Sequence, residues 1–206
     1  MQMPENVIGI KQIEIDALTE AGNIGAGHAA TSLSKLLREN VMNRSTSGML
    51  VPLDKVPEAL GGADKIVAGI YATFSGGLKG GILMIFPEGS AQTLTRVLGN
   101  CEITSKLIDE MQESLLCEVG NICLCWYLNA ISKMVDLEMI PCPPMVAYDM
   151  AGAVIDLPLI QIGKVSDTAL LILTDFKGEI NEIHGAFLMM LEPESQKVLA
   201  QKLGVN

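Results

Sequence analysis

The chain has 206 residues, a net charge of −10, 49% hydrophobic residues and only 4% aromatic ones. A chain of that length buries a core without disulfide or metal staples, and its acidity excludes a nucleic-acid binder, because phosphate contacts need clustered Lys and Arg. The acidity also disfavours anionic membranes, and the longest runs without Asp, Glu, Lys or Arg, 21–34 and 119–132, fall short of the roughly 18 apolar residues that a membrane span requires.

The first residues, MQMPENVIGIKQIEID, lack a basic region ahead of an apolar stretch, so no signal peptide is expected and the protein is read as cytoplasmic. A long helix is predicted over 13–39, followed by a polar turn at 43–48 and a short strand at 49–53. A helical turn is predicted at 56–60, and two β-rich runs, 66–74 and 81–86, surround a Gly-Gly turn. The helix over 90–98 is stopped by Gly99 and Asn100. Thr104 is predicted to cap a second long helix that reaches about Val135 and is broken by Pro141, Pro143 and Pro144. A short extended segment follows. A helix over 150–162 is expected in spite of Pro158, then strands at 169–174 and 184–191 and a last helix over 194–203.

This order runs twice. LTEAGNIGAGHAATSLSKLL, from Leu18, lies on LLCEVGNICLCWYLNAISKMV, from Leu115, so that Glu20, Gly22, Asn23 and Ile24 fall on Glu118, Gly120, Asn121 and Ile122. GGILMIFPEGSAQTLTRVLG is matched in the same way by GAFLMMLEPESQKVLAQKLG. Two copies, at about 12–100 and 104–206, with no Pro/Gly/Ser-rich linker between them, predict one domain over 1–206. The expected fold is α/β of the α+β type: an internally duplicated, pseudo-two-fold arrangement of one mainly antiparallel sheet covered by two long helices.

Several features carry no chemistry on this reading. Cys101, Cys117, Cys123, Cys125 and Cys142 are odd in number and form no C-x-x-C pair, and only His28 and His184 accompany them, so no metal site is expected. Reduced, buried cysteines suit a cytosolic protein. The twelve Met residues suit adaptable core packing, with a partner surface as the alternative. Gly22-Asn23-Ile24-Gly25-Ala26-Gly27-His28 has the spacing G-x-x-G-x-G, lacks a Lys and sits inside a helical pattern, which argues against a nucleotide loop; a nucleotide-binding enzyme is left as an alternative that rests on these glycines alone. The glycines are expected where the helix approaches a sheet or another helix. His28 is read as a satisfied, half-buried side chain rather than a base.

What both copies keep is a polar stripe. Glu20 and Asn23 are three residues apart and Asp16 lies four before Glu20; Ser114, Glu118 and Asn121 repeat the spacing, which puts each trio on one helix face. A carboxamide is too weak a base to activate a nucleophile. It can, however, donate to one oxygen and accept from a water, fixing that water in line with a phosphorus centre, while a carboxylate holds a lysine of a partner. Such a site is completed by a partner that brings the phosphoryl group and its metal.

At these residues the sequence resembles the CheC family of chemotaxis phosphatases, relatives of CheX and FliY. The family pattern [DS]-x3-E-x2-N-x22-P is met in full by Ser114, Glu118, Asn121 and Pro144, and by Asp16, Glu20 and Asn23 with Thr46 at the proline position. Likeness extends through LVPLDKVPEALGG and AYDMAGAVIDLPL. The resemblance implies hydrolysis of the aspartyl-phosphate of a CheY-like response regulator. In that reaction Asn23 and Asn121 orient the water, Glu20 and Glu118 meet the regulator's lysine, and Asp16, Ser114 and Pro144 give support. It implies no cofactor of the chain's own, a magnesium ion in the regulator, and a second partner, the receptor deamidase CheD, for which Asp149 is the candidate contact. Thr46 ranks the second site above the first. The alternative is a non-catalytic module that binds phosphorylated CheY or CheD.

Overall fold

The structure is a computed structural model that describes residues 12–100, 108–162, 168–179 and 182–203. Helix α1 (Gln12–Leu37) leads into strand β1 (Met42–Pro52), a 3-10 turn (Leu53–Lys55) and the one-turn helix α2 (Val56–Ala59). The hairpin of β2 (Ile66–Gly76) and β3 (Gly80–Pro87) precedes α3 (Glu88–Gly99). The second half runs α4 (Glu110–Val135), β4 (Met139–Pro141), β5 (Met145–Met150), α5 (Ala151–Ile162), the hairpin β6 (Thr168–Lys177) and β7 (Glu182–Leu191), and α6 (Pro193–Lys202).

All seven strands join one antiparallel sheet in the order β1-β6-β7-β3-β2, with β4 and β5 both pairing with β2. Exchanging β1, β2 and β3 for β5, β6 and β7 turns this order into its own reverse. The two halves meet at the β3–β7 pair, and β1 crosses over to lie beside β6 of the second half. The sheet is therefore built jointly.

Both faces of its centre are covered, which is why Ile82 to Phe86 are buried without alternation. On one face Leu18 and Leu33 of α1 and Leu116, Leu128 and Ile131 of α4 pack with Ile82, Met84, Phe86 and Phe187 in the larger core. On the other, Val56 of α2 and Val154 and Ile155 of α5 cover Val67, Leu83, Ile85 and Leu188. Helix α4 is long and apolar enough to cross a membrane by length and composition, but Leu116, Val119, Cys123, Leu124 and Tyr127 are spent on this core.

Of the three glycines of α1, Gly22 and Gly25 serve close approach and Gly27 does not. A Cβ on Gly25 would stand 2.9 Å from Tyr127 Cα and 3.2 Å from the Trp126 carbonyl oxygen of α4. Gly22 meets Tyr127 of α4 and Ile172 of β6, and Gly120 meets Ile70 of β2. Because the obstacle at Gly25 is backbone, Gly25→Ala must push the two long helices apart. Overpacking costs about 1–3 kcal/mol, against a helix-propensity gain of about 1 kcal/mol, so a net loss of stability is expected in urea unfolding. Gly27 has open space around it, and Gly27→Ala should be neutral or stabilising in the same assay.

Two predicted features are corrected. Residues 43–48 are not a turn but part of β1, which extends from Met42. The segment reads as polar because β1 is an edge strand with alternate residues in solvent. Thr104 lies outside the described residues, and α4 is instead capped by Asp109. The Asp109 carboxylate accepts from the Gln112 N–H at 2.8 Å, and the Gln112 side chain accepts from the Asp109 N–H at 3.0 Å.

Candidate functional site

The second stripe sits on the exposed face of α4. Ser114, Glu118 and Asn121 are all exposed, while Val119, Gly120, Cys123 and Leu124 between and beyond them are buried. The helical period thus turns the apolar residues to the sheet and leaves the polar trio to solvent. Pro144, in the segment between β4 and β5, comes up beside them. Together with Glu110, Glu113 and Cys117 these residues line one shallow depression of about 540 Å³. The Cys117 thiol is 3.8 Å from the Pro144 carbonyl oxygen and donates to it, tying that segment to the helix. One turn after Asn121, the Cys125 thiol donates to the Asn121 amide oxygen at 3.6 Å.

Neither thiol is a nucleophile in waiting. Burial pushes Cys125 up, and burial followed by the nearby Glu113 carboxylate pushes Cys117 up, so both stay protonated at neutral pH. Cys123, fully buried in the core, is raised to about 12. A cysteine-phosphate intermediate is therefore chemically disfavoured here. What faces solvent is a carboxylate and a carboxamide three residues apart over a shallow basin, open to a convex partner.

The first stripe is arranged alike on α1, with Asp16, Glu20 and Asn23 exposed. Its surroundings differ. Thr46, at the proline position, is half-buried on β1, and Asn43 of the same strand donates from its amide nitrogen to Asn23 Oδ1 at 2.9 Å and to Thr46 Oγ1 at 3.1 Å. The catalytic candidate of this site is thus already hydrogen-bonded within the chain.

His28 is more exposed than its sequence setting suggests. It stacks on Trp126 with ring centroids 4.8 Å apart, and the Trp126 indole N–H donates to Ser32 at 2.9 Å. Both contacts join α1 to α4. Asp149, the candidate partner contact, is exposed at the end of β5 on the sheet's other margin, where its carboxylate accepts from the Met150 N–H at 2.7 Å. That bond is to the next residue, not to the first turn of α5, so it is not a helix cap.

Sequence reasoning missed two clusters. One is Asn43 with Thr46; the offset that places Glu20 on Glu118 also places Asn43 on Pro141, and that contrast was a usable signal. The other lies in a cleft of about 610 Å³ on the sheet face opposite the long helices, floored by Val67, Ile85, Leu173 and Ala186. At its rim His184 Nδ1 is 2.8 Å from Asp175, which also accepts from the Ser45 hydroxyl at 3.0 Å. The His184 bond holds the Asp175 carboxyl below the usual carboxylate range. This pair is formed across the β6–β7 hairpin and no spacing in the sequence announces it. Among the described residues, no group of three or more His, Cys, Asp and Glu side chains is gathered as a metal site would require.

A model of the CheC-like family matches residues 13–41, the segment that holds the first stripe. The CheY-P phosphatase CheC of Bacillus subtilis is 32% identical over 203 residues, covering 96% of this chain and 97% of that protein. The flagellar motor switch phosphatase FliY of the same species is 24% identical, covering 93% of this chain but 49% of that protein. Among solved structures, Thermotoga maritima FliY shares the fold with a TM-score of 0.72 at 17% identity, covering 96% of this chain and 98% of that one.

Proposed function

The chain belongs to the CheC-like family, and from that premise we propose that it is a chemotaxis phosphatase acting in the cytoplasm on the aspartyl-phosphate of a CheY-like response regulator. The observation that carries the reading is the exposed Glu118–Asn121 pair beside Pro144 in one basin, with Glu20 and Asn23 repeating the pair on the other long helix. The relative that is a third identical is a CheY-P phosphatase.

In the proposed reaction α4 lays this face into the regulator's active site. Glu118 meets the regulator's lysine and so fixes the helix over the phosphoryl group. The Asn121 amide holds a water in line: its oxygen accepts from the water, and its nitrogen donates to a phosphoryl oxygen. The water oxygen bonds to phosphorus as the bond between phosphorus and the aspartate oxygen breaks. The carboxylate leaves with the electron pair, and the water's proton passes to phosphate or solvent. A magnesium ion held by the regulator would supply electrostatic stabilisation of the phosphoryl charge, and the proposal assigns no cofactor to this chain. Ser114 and Asp16 flank the pairs, and Pro144 stiffens the segment beside Asn121. The exposed Met111 and Met145, near the second site, offer adaptable apolar contact to the regulator.

CheD is the proposed second partner, with Asp149 as its contact. Asp149 is not among the residues that line the second-site basin and sits toward the opposite end of β5 from Pro144, so the regulator and CheD need not compete for one surface.

The test is release of inorganic phosphate from a phosphorylated CheY-like regulator with magnesium present. Acceleration over the regulator's own decay is expected. Binding of the phosphorylated regulator without acceleration would instead make the chain a non-catalytic binding module, the second reading.

A further inference from the structure

We propose that Asn43 is a positioning residue that draws the Asn23 amide oxygen inward to β1 and thereby holds the first site below the second. The inference rests on the phosphatase reading, and it begins from a register irregularity. Asn43 pairs with Phe176 and Ser45 with Asp175, so Arg44 is an extra residue in β1. Without that bulge, residues three apart such as Asn43 and Thr46 would point to opposite faces of the sheet. With it, Asn43 opposite Phe176 and Thr46 opposite Thr174 share the face on which α1 lies. The bulge therefore aims the Asn43 side chain at Asn23, and the 2.9 Å bond from its amide nitrogen follows. Thr46 Oγ1, 3.1 Å from the same nitrogen, holds Asn43 in that pose.

The second half contains the same irregularity with different chemistry. Pro141 pairs with Phe74 and Met145 with Tyr71, so four steps of chain again span three steps of the neighbouring strand. Pro141 thus holds the strand position that Asn43 holds in β1, opposite a Phe of the larger core in both cases. A proline side chain has no hydrogen to donate. Asn121 Oδ1 accepts instead from the Cys125 thiol at 3.6 Å, a long sulfur contact that a water can displace. Asn23 Oδ1 accepts from a rigidly held amide. An in-line water needs that oxygen as its acceptor, so the first site must break or share a hydrogen bond that the second does not have.

The experiment isolates the first site by working in Asn121→Ala. Decay of the phosphorylated regulator is followed for wild type, Asn121→Ala and Asn43→Ala/Asn121→Ala across regulator concentrations. Release of one hydrogen bond is expected to raise kcat of the double variant above that of Asn121→Ala by about two- to ten-fold. KM should hold, because Glu20 is untouched. In 15N-labelled protein the Asn23 side-chain amide signals should shift on Asn43→Ala with the backbone spectrum otherwise kept, which shows that the variant is folded. An unchanged or lower kcat overturns the proposal, a lower value meaning that Asn43 preorganises Asn23 for the reaction. An inactive wild type overturns it as well, together with the phosphatase reading, and is distinguished because it is seen before any variant is compared.

Discussion

Replacing Asn121 with alanine is expected to slow hydrolysis at the second site by about 10²–10³-fold, the range typical for losing one positioned donor at a transition state. The side chain is exposed, and its one bond within the described residues that involves its amide oxygen is the weak contact from Cys125. Truncation therefore leaves no buried group unpaired, and stability should stay within about 0.5 kcal/mol. Because the loss falls on orientation of the water rather than on docking, it should appear in kcat with KM little changed. The decay rate that remains should be close to what the first site supplies. Asn23→Ala should leave most of the activity, since Asn43 already engages that amide.

Replacing Glu118 with alanine should act differently, on the concentration of regulator needed. On the proposed reading Glu118 forms an ion pair with a lysine that becomes desolvated when α4 closes the regulator's active site. Truncating one member of such a pair costs about 2–5 kcal/mol, so KM is expected to rise by about 30-fold or more. Glu118→Gln keeps the shape and loses the charge, and most of the same rise should follow. The wild-type KM should also increase with salt while that of Glu118→Gln responds less. Glu20→Ala should shift the apparent KM much less, as the first site carries less of the flux. Kinetics at two ionic strengths separate these outcomes.

The stripes were legible because they need nothing but the helical period. Residues at i, i+4 and i+7 share a face on any helix, and Ser114, Glu118 and Asn121 remain exposed once Leu116, Val119 and Cys123 are buried. The strand-rich runs were legible for a related reason: β3 and β7 carry unbroken apolar segments buried on both sheet faces. Family spacing, not periodicity, pointed to Pro144, which the fold does bring to the same basin.

What stayed hidden depends on pairing. Residues 43–48 look like a turn because their strand gains its partner, β6, from the other half of the chain, more than 120 residues away. The face to which Asn43 points is set by the one extra residue at Arg44, and no local propensity records a bulge. His28 looked enclosed because its neighbours are small; the ring that it stacks on, Trp126, belongs to α4. The Asp175–His184–Ser45 group needs three strands to come together. In each case the missing information is a tertiary neighbour.

The central claim, that the duplicated asparagines perform the hydrolysis, is tested most directly in Asn23→Ala/Asn121→Ala. Binding of the phosphorylated regulator and its decay would be measured in parallel, with Glu20 and Glu118 intact. Retained binding with decay reduced to the regulator's own spontaneous rate is the predicted result. Continued acceleration by a variant that has lost both amides would contradict the account and send the search for the reacting groups elsewhere in the molecule.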